Sequence, residues 1–247
     1  MRKGLNSSVK ICVLAMFLVS LCFVCSCKKS EPTTSPKPTE GKTPDTVSGK
    51  APDKGDAAPA GDWVPLGLAE TLPKPMFVGT PQDTKVENLE KPLGRPRPPF
   101  LAPKGAKNVA AGKPVSSSDE EPIIGEIEMI TDDDKEAADG SYVELGPFVQ
   151  HVTVDLEADY NIYAIVLWHY HKQARVYFDV VVQVADDPDF ITNVRTIFNN
   201  DIDNSAGLGV GKDMHYTETN EGKLIEGKGV KGRYVRCYSN GNTSNDL

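Results

Sequence analysis

Gly232-Arg-Tyr-Val-Arg-Cys-Tyr238 and Val180-Val-Val-Gln-Val-Ala-Asp-Asp-Pro-Asp-Phe190 decide the fold class. Each is a short run of β-branched and aromatic residues, and the second closes on turn formers, which is how a strand reads in sequence. Phe178, Val180, Val182 and Val184 alternate with Tyr177, Asp179 and Gln183, and Cys237 shares a face with Val235, so its thiol is expected to be buried and inert. Working outward, Val152, Val154 and Leu156 alternate with Thr153 and Asp155, while Ile162 to Trp168 is nearly continuous in apolar residues, as a central strand should be. Further strands are predicted at Val194 to Phe198, Met214 to Thr219, Lys223 to Glu226 and Arg233 to Tyr238. No stretch of this region holds a helical period. The class is all-β.

The N-terminus reads differently. Arg2, Lys3 and Lys10 precede the apolar run Ile11 to Val24, which is short for a membrane span and has the order of an export signal. Val24-Cys25-Ser26-Cys27 follows it and resembles a bacterial lipobox, which makes Cys27 the expected lipidation site and residues 1–26 the cleaved signal; a plain secretory signal is the alternative. Lys28 after the cysteine favours the outer membrane. Loss of the three basic residues takes the formal charge from -8 to -11. Such an acidic chain has no electrostatic footprint for nucleic acid, and membrane contact is expected through the lipid anchor only.

Residues 27–62 are rich in Pro, Thr, Lys and Gly and almost free of large apolar side chains, so they are expected to stay a solvated tether with a reach of roughly 30 Å. Residues 63–107 keep the prolines but carry Trp63, Leu66, Leu68, Leu72, Phe77 and Phe100. Proline forbids a helix or central strand there, so an extended strap anchored by Trp63 and Phe77 is predicted, with a sticky, disordered stalk as the alternative.

From residue 108 the landmarks fall in a known order. Asn108-Val-Ala-Ala-Gly-Lys-Pro-Val-Ser-Ser-Ser, Thr131-Asp-Asp-Asp-Lys, Val152-Thr-Val-Asp-Leu, Ile162-Tyr-Ala-Ile-Val-Leu-Trp, the Val180 run and Arg233-Tyr-Val-Arg together resemble the discoidin, or coagulation factor 5/8 type C, domain, of the family 32 carbohydrate-binding module type. The resemblance implies a galactose-binding-like jelly-roll β-sandwich over 108–247 that binds sugars, lipid head groups or proteins through loops at one end. It also implies a further strand carrying a glutamate beyond Leu247, so the sandwich is expected to lack its last strand. In relatives a calcium ion lies under the turn matching Asp132 to Ala137; here Asp132 and Asp134 are present, Asp133 replaces the turn glycine and Ala137 the usual hydroxyl. A structural Ca²⁺ at Asp132 and Asp134 is therefore the one cofactor expectation.

Strand parity places the binding end. If successive strands run antiparallel, the connections Thr131 to Phe148, His169 to Arg175 and Asn199 to Lys212 gather at one end, and the tight turns Glu157 to Asn161 and Asp186 to Asn193 at the other. Long loops on a rigid sandwich are where function usually sits. Their chemistry suits a polar, uncharged ligand: Tyr142 and Tyr170 for stacking, His169, His171 and Arg175 for hydroxyls, and Asn199, Asn200 and Asp203 for further hydrogen bonds. Trp168 ends an apolar strand and reads as core.

Other chemistries fare worse. His169 and His171 share a strand face but lack an identifiable third zinc ligand, and Asp201-Ile-Asp-Asn-Ser fails as an EF-hand because Ala206 and Lys212 stand where Gly and Glu are needed. No nucleophile elbow, zincin motif or phosphate loop is present, and the paired aspartates read as turn formers. The expectation is a non-catalytic, lipid-anchored protein of the cell envelope that binds a glycan, with a protein-adhesion module using the same loops as the alternative.

Overall fold

The computed structural model describes residues 7–9, 62–76 and 85–244. Cys27, the tether and Phe77 lie outside them. The strands are β1 (Ser7–Val9), β2 (Trp63–Pro65), β3 (Leu101–Pro103), β4 (Val115–Ser117), β5 (Val143–Leu145), β6 (Gln150–Leu167), β7 (Val181–Ala185), β8 (Arg195–Asn199) and β9 (Lys223–Ser239), and every strand pair is antiparallel. The only helical pieces among the described residues are 3-10 turns at Leu68–Thr71 and Ile127–Thr131.

The centre is a long ribbon of β6 and β9, flanked by β4 on one side and by β7 and then β8 on the other. Two strands expected on either side of a turn at 157–161 are one strand of 18 residues, and the expected pair at 223–226 and 233–238 is likewise a single β9. The expected tight turn is a bulge: the register jumps between Asp155 and Tyr160, and again between Ile162 and Ala164. Glu157 takes φ 66°, its N–H donating to Asp155 Oδ1 at 2.7 Å. On the facing strand Lys228 and Gly229 have φ of 51° and 80°, and a Cβ on Gly227 would lie 2.4 Å from the Ile162 carbonyl. Asn, Gly or a strained residue at these places is what lets a ribbon turn a corner.

The corner closes the sandwich. A straight strand of this length would run about 60 Å. Yet Val152, Val154 and Leu156 before the bulge share one buried cluster with Ile162, Ile165 and Leu167 after it, along with Val180, Val182, Val184, Ile225, Val235 and Cys237. The ribbon therefore bends back, and its two halves face each other across the core. Burying each such side chain contributes about 1.5–3 kcal/mol. Arg233 clamps the bend by donating from Nε and Nη2 to Asp155 at 2.7 and 2.8 Å. Elsewhere the predicted strand at Met214–Thr219 is reduced to isolated bridges of His215 with Leu89 and Thr217 with Val176, and the run before β7 to bridges at Val176 and Tyr177.

The strap packs as an element of the domain. Leu66, Leu68, Leu72 and Phe100 lie against Val166, Trp168 and Leu224. Trp63 meets Tyr163 edge-on at 5.8 Å, and Arg97 donates to the carbonyls of Glu221 and Gly222 at 2.8 and 3.1 Å. Trp168 is core as expected, its indole N–H donating to the Asn220 carbonyl at 2.9 Å.

Candidate functional site

The bend sorts the connections into two ends. At one, Lys231 pairs with Asp159 at 3.1 Å, and Arg195 bonds both Asp186 and the Lys231 carbonyl, which joins the 157–161 and 186–193 segments. At the other, the 131–148, 169–175 and 199–212 loops meet. His171 Nε2 lies 2.9 Å from the Lys135 carbonyl, Tyr142 and Tyr170 contact edge-on at 5.0 Å, and Ser205 donates to Asp179 at 2.6 Å.

Both histidines depart from the expected ligand role, for they are fully buried. The His169 backbone N–H donates to Glu218 Oε2 at 3.1 Å, its Nδ1 lies 3.1 Å from the same oxygen, and its ring stacks on Tyr177 at 4.2 Å. Glu218 is buried too. The shared face that suggested two zinc ligands is the inward face, where one nitrogen of each ring meets a protein group and the other, His169 Nε2 or His171 Nδ1, has no hydrogen-bond partner. Tyr170, between them, points the other way. Its ring is flanked by Tyr142 and by the Arg175 guanidinium, 4.9 Å from the ring centre, and all three residues are partly exposed.

Asn199 and Asn200 also turn out to be scaffold. Asn199 Oδ1 accepts from the Asp201 N–H at 2.8 Å and its amide donates to the Gly209 carbonyl at 2.9 Å, while Asn200 Oδ1 accepts from the Val180 N–H at 2.7 Å. Gly211 passes so close that a Cβ would sit 2.4 Å from the Asn199 carbonyl. Both amides are more than nine-tenths buried, whereas Asp203 is exposed.

At the turn where the resemblance implied calcium, the Asp132 and Asp134 carboxylates cap the backbone. Asp132 Oδ1 accepts from the Asp134 N–H and Asp134 Oδ1 from the Glu136 N–H, each at 2.8 Å. Asp133 holds the left-handed φ of 67° where the family has glycine. The Lys135 ammonium, largely buried, bonds the Asp133 carbonyl at 2.8 Å and its carboxylate at 2.7 Å. The ammonium thus takes two oxygens of Asp133, the residue between the two expected ligands.

What the loops enclose is a cleft of about 900 Å³ lined by Lys85, Glu87, Ala174, Phe178, Asp179, Asp203, Ser205, His215 and Asn240, among others. Ala174 comes from the 169–175 loop and Asp203 and Ser205 from the 199–212 loop, so the two do share one cavity. Asp179 is its floor: it is 7% exposed, and its Oδ2 accepts from Ser205 Oγ at 2.6 Å and Asn240 Nδ2 at 2.7 Å. Burial and the Asp179 charge push the Asp201 carboxyl up, against the pull of the backbone N–H groups of Ser205 and Ala206. Hydrogen bonds from Ser205 hold Asp203 down. Burial lowers His215, only partly offset by Asp179, Asp203 and Glu87.

Sequence reasoning missed Asp179, His215, Asn240 and the strap residues Lys85 and Glu87. Alternation placed Asp179 outward, but its φ of 52° breaks the pleat and turns it in. Lys85 and Glu87 reach the cleft because the strap is pinned here: the His215 N–H donates to the Asn88 carbonyl at 3.0 Å, and the Glu90 N–H to the His215 carbonyl at 2.8 Å.

No family model and no curated protein matches the chain. Among solved structures it is similar to the CBM32-4 module of CpGH89 from Clostridium perfringens, at 17% identity over 57% of this chain and 90% of that one, with a TM-score of 0.33. It is also similar to chitosan-binding module 2 of a chitosanase/glucanase from Paenibacillus sp. IK-5, solved with chitotriose, at 14% identity over 56% and 91% and a TM-score of 0.33. A third is the CBM32 of AlyQ, solved with 4,5-unsaturated mannuronic acid, at 17% identity over 40% and 64% and a TM-score of 0.25. These neighbours are carbohydrate-binding modules, and likeness at this level assigns no ligand to this chain.

Proposed function

We propose that the β-domain is a non-catalytic module that binds carbohydrate in the cleft at its loop end. The observation that carries this reading is the convergence of two loops and the strap on one cavity walled mainly by hydrogen-bonding side chains, with Phe178 as an aromatic wall. Sugars are held by such a lining: carboxylates, amides and hydroxyls fix the hydroxyl groups, and a ring face covers the C–H surface. The carboxylates of Asp179 and Asp203 favour an uncharged sugar over an anionic one. Tyr142, Tyr170 and Arg175 form a second polar and aromatic surface at the same end and extend the site.

The sequence signals supply the setting: export, lipidation at Cys27, a tether over residues 27–62, and a lipid anchor in the cell envelope, at the outer membrane. Screening the full chain on an array of neutral and charged glycans tests the reading. Binding of neutral glycans that Asn240→Ala weakens supports it, and no binding to any glycan contradicts it. The second reading, adhesion to a surface protein through the same loops, is favoured by Phe148 and Val210, which are 72% and 65% exposed on the loop segments.

A further inference from the structure

Asp179, Asp201 and Asp203 each place a carboxylate oxygen within 4.8 Å of the others, and Asp179 and Asp201 are buried. Three carboxylates this close repel one another, and burial removes the water that would screen them. Their neighbours are neutral donors: Ser205 and Asn240 on Asp179, the N–H groups of Ser205 and Ala206 on Asp201, and the Ser205 N–H on Asp203. Among the described residues no lysine or arginine forms an ion pair with any of the three. The turn at Asp133 is the contrast, since Lys135 supplies its positive charge there.

A second observation points the same way. His215 is 4% exposed, lines the same cavity as Asp179 and Asp203, and its Nδ1 is buried with no hydrogen-bond partner. An orphaned buried nitrogen beside an uncompensated acidic cluster calls for a group that is cationic and carries donors. A hydrated metal ion is both.

We propose that Asp179, Asp201 and Asp203 bind Ca²⁺ at the floor of the cleft, with a metal-bound water donating to His215. An all-oxygen carboxylate set suits a hard cation, and calcium tolerates the irregular geometry of a loop site that keeps several waters. The site differs from an EF-hand, whose Gly and Glu are replaced by Ala206 and Lys212, and from the Asp132 turn. It does not depend on the carbohydrate reading, because the metal is measured without sugar.

The test uses the full chain stripped with EDTA. Ca²⁺ is then added to roughly 10 mM, above the affinity range of extracellular calcium modules, while thermal unfolding and calorimetric binding are followed. The expected result is saturable binding of one ion and a midpoint raised by several degrees. Asp203→Asn, an exposed and foldable change, should weaken binding at least tenfold, Asp201→Asn should abolish it, and Asp132→Asn should leave it intact. Absence of Ca²⁺ binding by the wild type, or binding that survives Asp203→Asn but is lost in Asp132→Asn, overturns the proposal.

Discussion

The 169–175 loop and the 199–212 loop stand at the same end of the sandwich and both carry polar sequences, yet the protein uses them differently. Glu218 meets one nitrogen of His169 and the Lys135 carbonyl one nitrogen of His171, so the first loop turns both rings into the interior, although His169 Nε2 and His171 Nδ1 keep no hydrogen-bond partner. The second loop gives its amides to the backbone but leaves Asp179, Asp201 and Asp203 with neutral donors alone, opening on a cavity. Residue type does not distinguish scaffold from site; whether the buried polar groups open on a cavity does.

The largest effect should come from breaking the scaffold side. Glu218→Ala leaves the His169 backbone N–H and ring without their buried partner and should cost about 3–5 kcal/mol in urea unfolding. A near-neutral result would erase the contrast, since the first loop would then not be scaffold. On the cavity side, Asn240→Ala removes a cleft amide that also donates to the buried Asp179 carboxylate, and should lower glycan affinity about tenfold, near 1–1.5 kcal/mol, with a stability cost of about 1–3 kcal/mol. Tyr170→Ala, outside the cavity but on the same end, should cost less, on the order of 0.5–1 kcal/mol in the same titration.

A pH series sharpens the comparison through a histidine away from both loops. His151 packs on Tyr238 at 5.1 Å, and burial, reinforced by the Arg236 charge, lowers it to about 4. Because the native ring resists a proton that the unfolded ring accepts below about 6.5, its contribution is complete above that value and lost as pH falls toward 4. Stability should therefore drop between pH 6.5 and 4, and His151→Gln should flatten the drop. An unchanged slope would mean that other groups set it. The smallest effect is assigned to the far end: Asp159→Ala breaks an exposed pair with Lys231, should change stability by less than about 1 kcal/mol, and should leave affinity alone.

Strand identity was readable in sequence because alternation in Val152 to Leu156 and Val180 to Val184 is a local property. What alternation does not show is the partner. The corner in the β6–β9 ribbon rests on Glu157, Gly227 and Lys228, three positions whose backbone conformation or close approach is set by tertiary contact. Parity still gathered the loops correctly, because a ribbon bent at a bulge reverses direction as a turn does. The site was harder to read. The period-two spacing of His169 and His171 correctly put them on one face but could not say that the face was inward, and Asp179 escaped notice because its positive φ breaks the period. Lys85 and Glu87 come from a segment whose prolines forbid regular structure, so no periodic signal announced their place in the cleft wall. Cys237 was legible on its face: it is buried, and burial pushes its thiol up to about 12, as an inert core cysteine requires.

The central claim is that the cavity between the two loops is where this protein meets its ligand. Titration calorimetry of the full chain with an oligosaccharide selected from the array, repeated for Asn240→Ala, Phe178→Ala and Asp159→Ala, addresses it directly. The account predicts weakened binding for both cleft variants and wild-type affinity for Asp159→Ala. Wild-type affinity in both cleft variants, with loss in Asp159→Ala, would contradict it and move the ligand to the opposite end.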